Sequence, residues 1–225
     1  MSTVPSGALA DRLRRLCALA LHVLWPVSCP ICGRLGEVLC GGCLSALLAP
    51  PPERCLLCGD EVPCLRHPNA PVVRAASPYE GDASAVILAL KYGGFRALGR
   101  RLGEGMAGLW ERPDVDLLIP VPLHLGSSRG YNQALEIAWG LGRAWGVRVS
   151  EAARWARDLP SRRGMGREER MALGTDAFNV SSEVRGLRVL LVDDVCTTGT
   201  TLARLASACE AQGARVDGAC VAAGT

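Results

Sequence analysis

Two adjacent carboxylates and a run of hydroxyl side chains are the residues of this 225-residue chain best suited to chemistry. The carboxylates are Asp193 and Asp194, and the run that follows them is Thr197, Thr198, Gly199, Thr200 and Thr201. A loop that leads into a helix presents unpaired N–H groups and the positive end of the helix dipole, which favour a phosphate. The two acids would repel that phosphate, so they are better suited to accept hydrogen bonds from sugar hydroxyls or to face Mg²⁺. A ribose with a 5′-phosphate fits both halves.

The flanking pattern predicts strand, loop and helix in that order. Residues 187–192 are apolar except for Arg188, which is typical of a buried parallel strand that stops where the acids meet solvent. Apolar residues then recur at helical spacing from Leu202 to Cys209, and a strand over 214–224 completes a βαβ unit. A Walker loop is excluded, because no Gly-Lys-Ser/Thr follows the strand. The plain alternative is a strand with solvated acids and a threonine-capped helix.

Four pairs of metal-binding side chains precede residue 70. They are Cys29 with Cys32, Cys40 with Cys43, Cys55 with Cys58, and Cys64 with His67. Two such pairs complete a tetrahedral Zn²⁺ site, and zinc–thiolate bonding supplies folding energy that a short segment lacks. We therefore expect one or two structural zinc ions, with consecutive or alternate pairs sharing a metal. Incidental cysteines are the alternative.

The composition and the N-terminal sequence limit the possible classes of protein. Eleven cysteines, mostly clustered in pairs, indicate metal binding rather than disulfides and hence a cytoplasmic protein. A net charge of +3 is too small to argue for nucleic acid on charge alone. The early apolar run is too short to span a bilayer, and we predict a leader helix over 1–27, with an export signal as the alternative. A metal-binding knuckle module over 28–70 and a main domain over 71–225 follow.

A second buried strand is predicted over 115–123, and it breaks at Pro120, Val121 and Pro122. Ligands of parallel sheets lie beyond the carboxyl ends of the strands, so this loop should border the same cleft as the acids. Lys91 is the only lysine among 25 cationic residues, and its compact charge suits a phosphate, although chance could also place it there. Arg129 precedes a predicted helix and is either an anion contact or part of its cap.

A long basic connection occupies residues 158–178, after a third strand predicted over 147–155. It has little apolar periodicity and carries Arg162, Arg163 and Arg167. A lid of this kind can close over several phosphates, exclude water and stabilise a leaving pyrophosphate. A solvated loop is the alternative.

These motifs together resemble known families. The stretch 187–201 resembles the phosphoribosyl-pyrophosphate (PRPP) signature of type I phosphoribosyltransferases, and the whole chain resembles the ComF family, competence-associated relatives of amidophosphoribosyltransferase. The matching pieces are the cysteine knuckles and residues 79–81, 90–93, 119–123, 129–133 and 192–201. The resemblance implies an α/β fold, with a type I phosphoribosyltransferase-like parallel sheet flanked by helices and a small N-terminal zinc-ribbon-like module.

The resemblance also implies roles for the residues. Asp193 and Asp194 would hold the ribose hydroxyls, residues 197–201 would wrap the 5′-phosphate, and residues 120–123 would form a pyrophosphate loop. Lys91, Arg129 and the lid arginines would polarise the pyrophosphate of PRPP, bound with Mg²⁺, during transfer to an acceptor that the sequence does not identify. The alternatives are a PRPP- or nucleotide-sensing adaptor without catalysis, and a single-stranded-DNA-binding competence factor that acts in DNA uptake with other competence proteins.

Overall fold

The computed structural model describes residues 27–124, 126–156 and 177–224. Residues 1–26 of the predicted leader helix and the predicted lid residues Arg162, Arg163 and Arg167 lie outside the described residues. The strands are β1 Arg54–Cys55, β2 Val72–Ala75, β3 Leu117–Pro120, β4 Arg148–Val149, β5 Ala153–Trp155, β6 Phe178–Val180, β7 Arg188–Cys196 and β8 Arg215–Gly224. The helices are α1 Gly41–Leu47, α2 Gly81–Tyr92, α3 Arg96–Met106, α4 Gln133–Trp145 and α5 Thr200–Ala211, with a 3-10 turn over Ser182–Val184.

Six strands form the main sheet in the order β1-β2-β8-β7-β3-β4. The pairs from β2 to β4 are all parallel, and only β1 joins its neighbour in the antiparallel direction. Strands β5 and β6 form a separate antiparallel pair. The fold is therefore a mostly parallel sheet flanked by helices, which confirms the predicted fold class.

The central strand β7 is longer than predicted. The expectation that it stops at the acids is wrong, because β8 stays paired with it through Asp193↔Val221 as far as Cys196↔Gly224. Its other neighbour, β3, ends earlier, at Pro120↔Val192. The acids thus lie where β7 has lost one partner strand and kept the other. That asymmetry opens the β3 side of the sheet edge to a ligand.

The strand predicted over 147–155 is divided between two sheets. Residues Arg148–Val149 form β4 at the edge of the main sheet, whereas Ala153–Trp155 form β5 beside β6. The backbone changes partner between them, because Ser150 N–H donates to the carbonyl of Leu118 and Ser181 N–H donates to that of Ala152. A single strand over this stretch was therefore wrong.

Two apolar clusters cover the two faces of the sheet. On one face α2, α3 and α4 pack with Leu90, Leu102 and Ile137 wholly buried. On the other face α5 buries Leu202 and Leu205 beside the β5–β6 pair. Alternate residues of β7 point into each cluster, as a doubly covered strand requires. Among the described helices, none has the length and apolar character needed to cross a membrane.

Helices α3 and α4 pack closely through glycines. A Cβ atom added at Gly140 would collide with the carbonyl oxygen of Arg100 and lie 2.8 Å from the backbone nitrogen of Glu104. Side chains at the same crossing then form an ion pair, in which Arg100 Nε donates to Oε2 of the buried Glu136 at 2.8 Å. The crossing fixes the start of α4, which borders the site described below.

We expect Gly140→Ala to destabilise the protein by at least about 2 kcal/mol, because backbone atoms on α3 cannot move aside as a flexible side chain could. Gly108→Ala is the matched control, since its new Cβ would meet only the Gly105 carbonyl oxygen, at 3.5 Å. Urea unfolding of the two variants and the wild type measures the difference. Equal stability of both variants would contradict the packing described.

Candidate functional site

The acid pair meets the lysine that the sequence singled out. Lys91, in the last turn of α2, places its Nζ 3.2 Å from Oδ2 of Asp194. Both side chains are largely buried, with exposed fractions of 18% and 13%. Tyr131 holds the end of α2 in place, because its O–H donates to the carbonyl of Leu90. A cation is thereby presented to the acids by a residue about a hundred positions away in the chain.

One oxygen of the pair is left without a hydrogen bond. Asp194 Oδ2 is buried and, within the described part of the chain, has no hydrogen-bond donor, because Lys91 approaches it without the alignment of a hydrogen bond. Unsatisfied buried acceptors are rare in folded proteins and occur at functional sites. The atom could thus accept a hydrogen bond from a ligand hydroxyl or face a Mg²⁺ that a ligand brings, since hard carboxylate oxygens fit that ion.

The environment of Asp193 disfavours its charge. Burial raises the pKa of this carboxyl well above its usual range, and the adjacent charge of Asp194 raises it further. The Asp194 N–H donates to Asp193 Oδ1 at 2.8 Å, and this bond and the charge of Lys91 only partly offset the rise in pKa. Asp193 and Asp194 thus have one lysine to balance two negative charges. A further hydrogen-bond donor or cation from a ligand would stabilise those charges.

The threonine loop connects β7 with α5. Gly199 takes φ of +69° at the N-cap, a conformation that favours glycine, and provides no side chain to cap the helix. The hydroxyls of Thr198 and Thr200 lie 2.9 Å apart. The N–H groups of the first turn of α5 therefore begin directly behind a row of hydroxyls, which is the arrangement predicted for a phosphate.

Two cavities flank the end of β7. The cavity on the β3 side, here called the acid cavity, is lined by Val121, Pro122, Leu123, His124, Arg129, Asn132, Gln133, Ala134, Trp155, Asp193 and Asp194. The cavity on the β8 side, here called the threonine cavity, is lined by Pro51, Pro52, Arg54, Cys55, Leu56, Gly59, Val73, Ala75, Cys196, Thr197, Thr198, Gly199, Val221 and Gly224. The acids and the threonine loop thus face neighbouring but separate spaces.

Most predicted site residues gather around these cavities. Arg129 lines the acid cavity with Val121 and Pro122, whereas Pro120 is buried as the last residue of β3. Thr200 and Thr201 begin α5 and line neither cavity. The loop after β3, which was predicted to bind pyrophosphate, lies near the acids because β3 pairs in parallel with β7.

Sequence inspection missed several residues of the site. His124 and Trp155 line the acid cavity, with their ring centroids 5.3 Å apart, and Trp155 Nε1 donates to the carbonyl of Pro122. His124 lies two positions after Pro122, so its place in the loop was a usable signal. Trp155 carried no such signal, because only the packing of β5 brings it there. Arg54 of the threonine cavity also went unnoticed, since it stands beside a predicted zinc ligand.

Polar residues at the start of α4 hold the loop. Asn132 caps the helix by accepting from Ala134 N–H at 3.1 Å, and its Nδ2 donates to the carbonyl of Val121. Arg129 donates to Gln133 Oε1 at 3.1 Å and lies over the ring of Tyr92. The cap is therefore Asn132, which leaves Arg129 on the cavity wall as a cation.

The eight predicted metal ligands form two groups of consecutive pairs. The first metal-ligand group is Cys29, Cys32, Cys40 and Cys43, and the second is Cys55, Cys58, Cys64 and His67. Within each group the ligand atoms lie within 4.8 Å of one another. A tetrahedral zinc site with Zn–S bonds of about 2.3 Å separates its sulfurs by ~3.8 Å. The Sγ–Sγ separations of 3.6 Å for Cys32–Cys40 and 3.5 Å for Cys58–Cys64 fit that geometry.

Both groups are joined to the main sheet or its helices. Cys29 and Cys40 are buried in the same cluster as Leu102, and a Cβ at Gly105 of α3 would meet the side chain of Leu44 at 2.8 Å. The second group begins in β1, whose Arg54 and Cys55 pair with Val73 and Val72 of β2. The main sheet therefore extends into the knuckle segment.

Comparison with known protein families gives a match in the C-terminal part of the chain. The family model of the phosphoribosyl transferase domain matches residues 156–225. This part of the chain is therefore similar to a phosphoribosyl transferase domain. The matched stretch contains β7, the acid pair, the threonine loop and α5.

A solved structure described as the allosteric regulatory enzyme of purine biosynthesis is also similar, at 20% identity and a TM-score of 0.38. The similarity covers 54% of this chain and 25% of that enzyme, and likeness of this extent supports no conclusion about activity. No curated protein matches the chain.

We expect the purified protein to carry two zinc ions per chain. Cys32→Ser and Cys58→Ser each remove one sulfur from a different group, so each variant should retain one zinc, because the remaining group keeps four ligands. Metal analysis of the three proteins measures the stoichiometry. A wild type with fewer than two bound zinc ions would contradict the two-site geometry.

We expect Asp193→Asn to stabilise the fold at pH 7. Since the pKa of Asp193 is raised, the folded state binds more protons than the unfolded state above pH ~4, and stability falls as pH rises through that range. The amide removes this cost, so the melting temperature should rise by about 2–4 °C, with the gain disappearing towards pH 4. Asp217→Asn, at the far end of β8, is the control. A lower melting temperature for Asp193→Asn at pH 7 would contradict the buried-charge argument.

Proposed function

We propose that the protein binds PRPP or ribose 5-phosphate together with Mg²⁺ as a ComF-like phosphoribosyltransferase. The observation that carries the proposal is that the stretch matching the phosphoribosyl transferase domain contains both the acid pair and the threonine loop. The ion pair of Lys91 with Asp194 supports it, because it adds a cation from outside the matched stretch. An acid pair beside a loop of hydroxyls suits a sugar phosphate better than it suits either a free sugar or a free phosphate.

Different residues would bind different parts of the ligand. Asp193 and Asp194 would accept hydrogen bonds from the ribose hydroxyls, and the unsatisfied Asp194 Oδ2 would gain a donor. The threonine loop would hold the 5′-phosphate at the start of α5. The pyrophosphate would lie against Val121 and Pro122, with Arg129 on the cavity wall and Lys91 beside Asp194 as cations. Mg²⁺ carried with the pyrophosphate would neutralise charge that two side chains cannot balance alone.

In the proposed reaction an acceptor forms a bond to the anomeric carbon of ribose while the bond from that carbon to the pyrophosphate oxygen breaks. The electron pair of the broken bond leaves with the pyrophosphate. Lys91 and Arg129 stabilise the negative charge that develops on this group, which is where electrostatic catalysis is most effective. The acid pair orients the sugar so that the anomeric carbon faces the acid cavity.

The ComF resemblance extends the proposal to DNA uptake during natural transformation. We propose this role on the shared motifs, with single-stranded DNA or a competence protein as partner. Binding of DNA by arginines should weaken steeply with salt and should survive neutralisation of the acid pair. A protein that binds PRPP but no single-stranded DNA would confine the function to the sugar-phosphate site.

We expect Asp194→Asn to weaken the binding of Mg²⁺–PRPP by about 10- to 100-fold, because one of the two charged acceptors of the ribose hydroxyls is lost. Asp217→Asn is the matched control, since Asp217 lies towards the opposite end of β8 and pairs with Arg215 at 3.2 Å. Calorimetric titration of the zinc-loaded proteins measures the three affinities. Failure of the wild type to bind PRPP would overturn the proposed function.

A further inference from the structure

The threonine cavity brings the knuckle segment against the threonine loop. One wall consists of residues from Pro51 to Gly59, and the facing wall consists of Cys196 to Gly199. The approach is close, since the Leu56 carbonyl oxygen lies 3.7 Å from the position that a Cβ on Gly199 would take. Strand β1 fixes this wall by pairing with β2, and Leu56 N–H donates to the carbonyl of Pro71.

Arg54 is the single charged side chain among the described residues that line this cavity. The remaining lining residues are apolar residues, glycines, cysteines and threonines. A phosphate monoester carries nearly two negative charges at neutral pH, and the two carboxylates at the end of β7 oppose its approach. Lys91 is already engaged with one of those carboxylates. Among the described residues that line the cavity, Arg54 is therefore the cation that the threonine loop can offer to a phosphate.

The charge of Arg54 is available to a ligand. Its side chain is exposed, and its Nη1 donates to the Gly59 carbonyl at 3.1 Å, a neutral partner. In the described part of the chain no carboxylate forms an ion pair with it, and two of the nearby acids have other partners. Glu53 pairs with Arg74 at 2.7 Å, and Asp60 pairs with Arg66 at 2.5 Å.

We propose that Arg54 is a binding residue for the 5′-phosphate, so that the knuckle segment supplies part of the sugar-phosphate site. This inference rests on the proposed function. It explains why the site would bind a sugar phosphomonoester more tightly than the free sugar. Guanidinium is the side chain that binds phosphate oxygens in a bidentate manner, which suits a ligand held on its other side by hydroxyls and backbone N–H groups. The second metal-ligand group then positions a ligand contact, since Cys55 follows Arg54 directly.

The test compares two probes on the zinc-loaded full chain. Arg54→Gln should weaken binding of ribose 5-phosphate by about 10- to 100-fold, because a charge-assisted contact is lost. The same variant should bind Mg²⁺–pyrophosphate as the wild type does, because pyrophosphate would occupy the acid cavity. Arg34→Gln is the matched control, an exposed arginine of the other knuckle, and it should change neither affinity.

Arg54→Lys tests the inference independently of the neutral variant. It keeps the charge but loses the bidentate geometry, so ribose 5-phosphate should bind about 3- to 10-fold more weakly than to the wild type. Unchanged ribose 5-phosphate affinity in both Arg54 variants would overturn the inference and leave the proposed function standing. Equal loss of both probes in the Arg54 variants would also overturn it, because Arg54 would then act on the fold. A wild type that binds neither probe would overturn the proposed function itself.

Discussion

Two adjacent carboxylates, placed where a buried strand has lost one of its two partner strands, impose the constraint on which the rest of the site depends. Charges in such a place need donors or a cation, because burial removes the water that would otherwise stabilise them. The fold supplies one backbone N–H to Asp193 and one ammonium to Asp194, and the raised pKa of Asp193 shows that this supply is incomplete. The ligand proposed above, with hydroxyl donors and a divalent cation, would complete it.

The sheet face covered by α2, α3 and α4 positions the ammonium group of Lys91. Lys91 reaches Asp194 only because α2 ends beside β7, and the end of α2 is tied to Tyr131. The segment that carries Tyr131 is in turn fixed by α4, which packs against α3 through Gly103 and Gly140. The close packing of α3 and α4 at these glycines therefore helps to fix the contact between Lys91 and Asp194, because packed backbone is rigid.

The two metal-ligand groups stabilise different parts of the molecule. The first adds its buried cysteines to the apolar cluster under α3. A zinc ion bound there would supply folding energy that so short a segment lacks. The second lies at the end of the sheet where β1 meets the threonine cavity. A knuckle segment that shares strands and cavities with the main sheet is part of one structure, although its ligand spacing can be recognised separately in the sequence.

Sequence by itself determined the local chemistry of this protein. The apolar run before Asp193, the hydroxyls after it and the Cys-x-x-Cys spacing each depend on residues close together in the chain, so strand, loop, helix and metal ligands could be predicted from them. The end of β7 could not, because it is set by how far β8 continues beside it. Only the tertiary structure decided that consecutive pairs form each metal-ligand group, that Lys91 faces Asp194, and that Arg54 and Trp155 border the two cavities. Those contacts join residues far apart in the chain, and the packing of helices on a twisted sheet, rather than any local preference, brings them together.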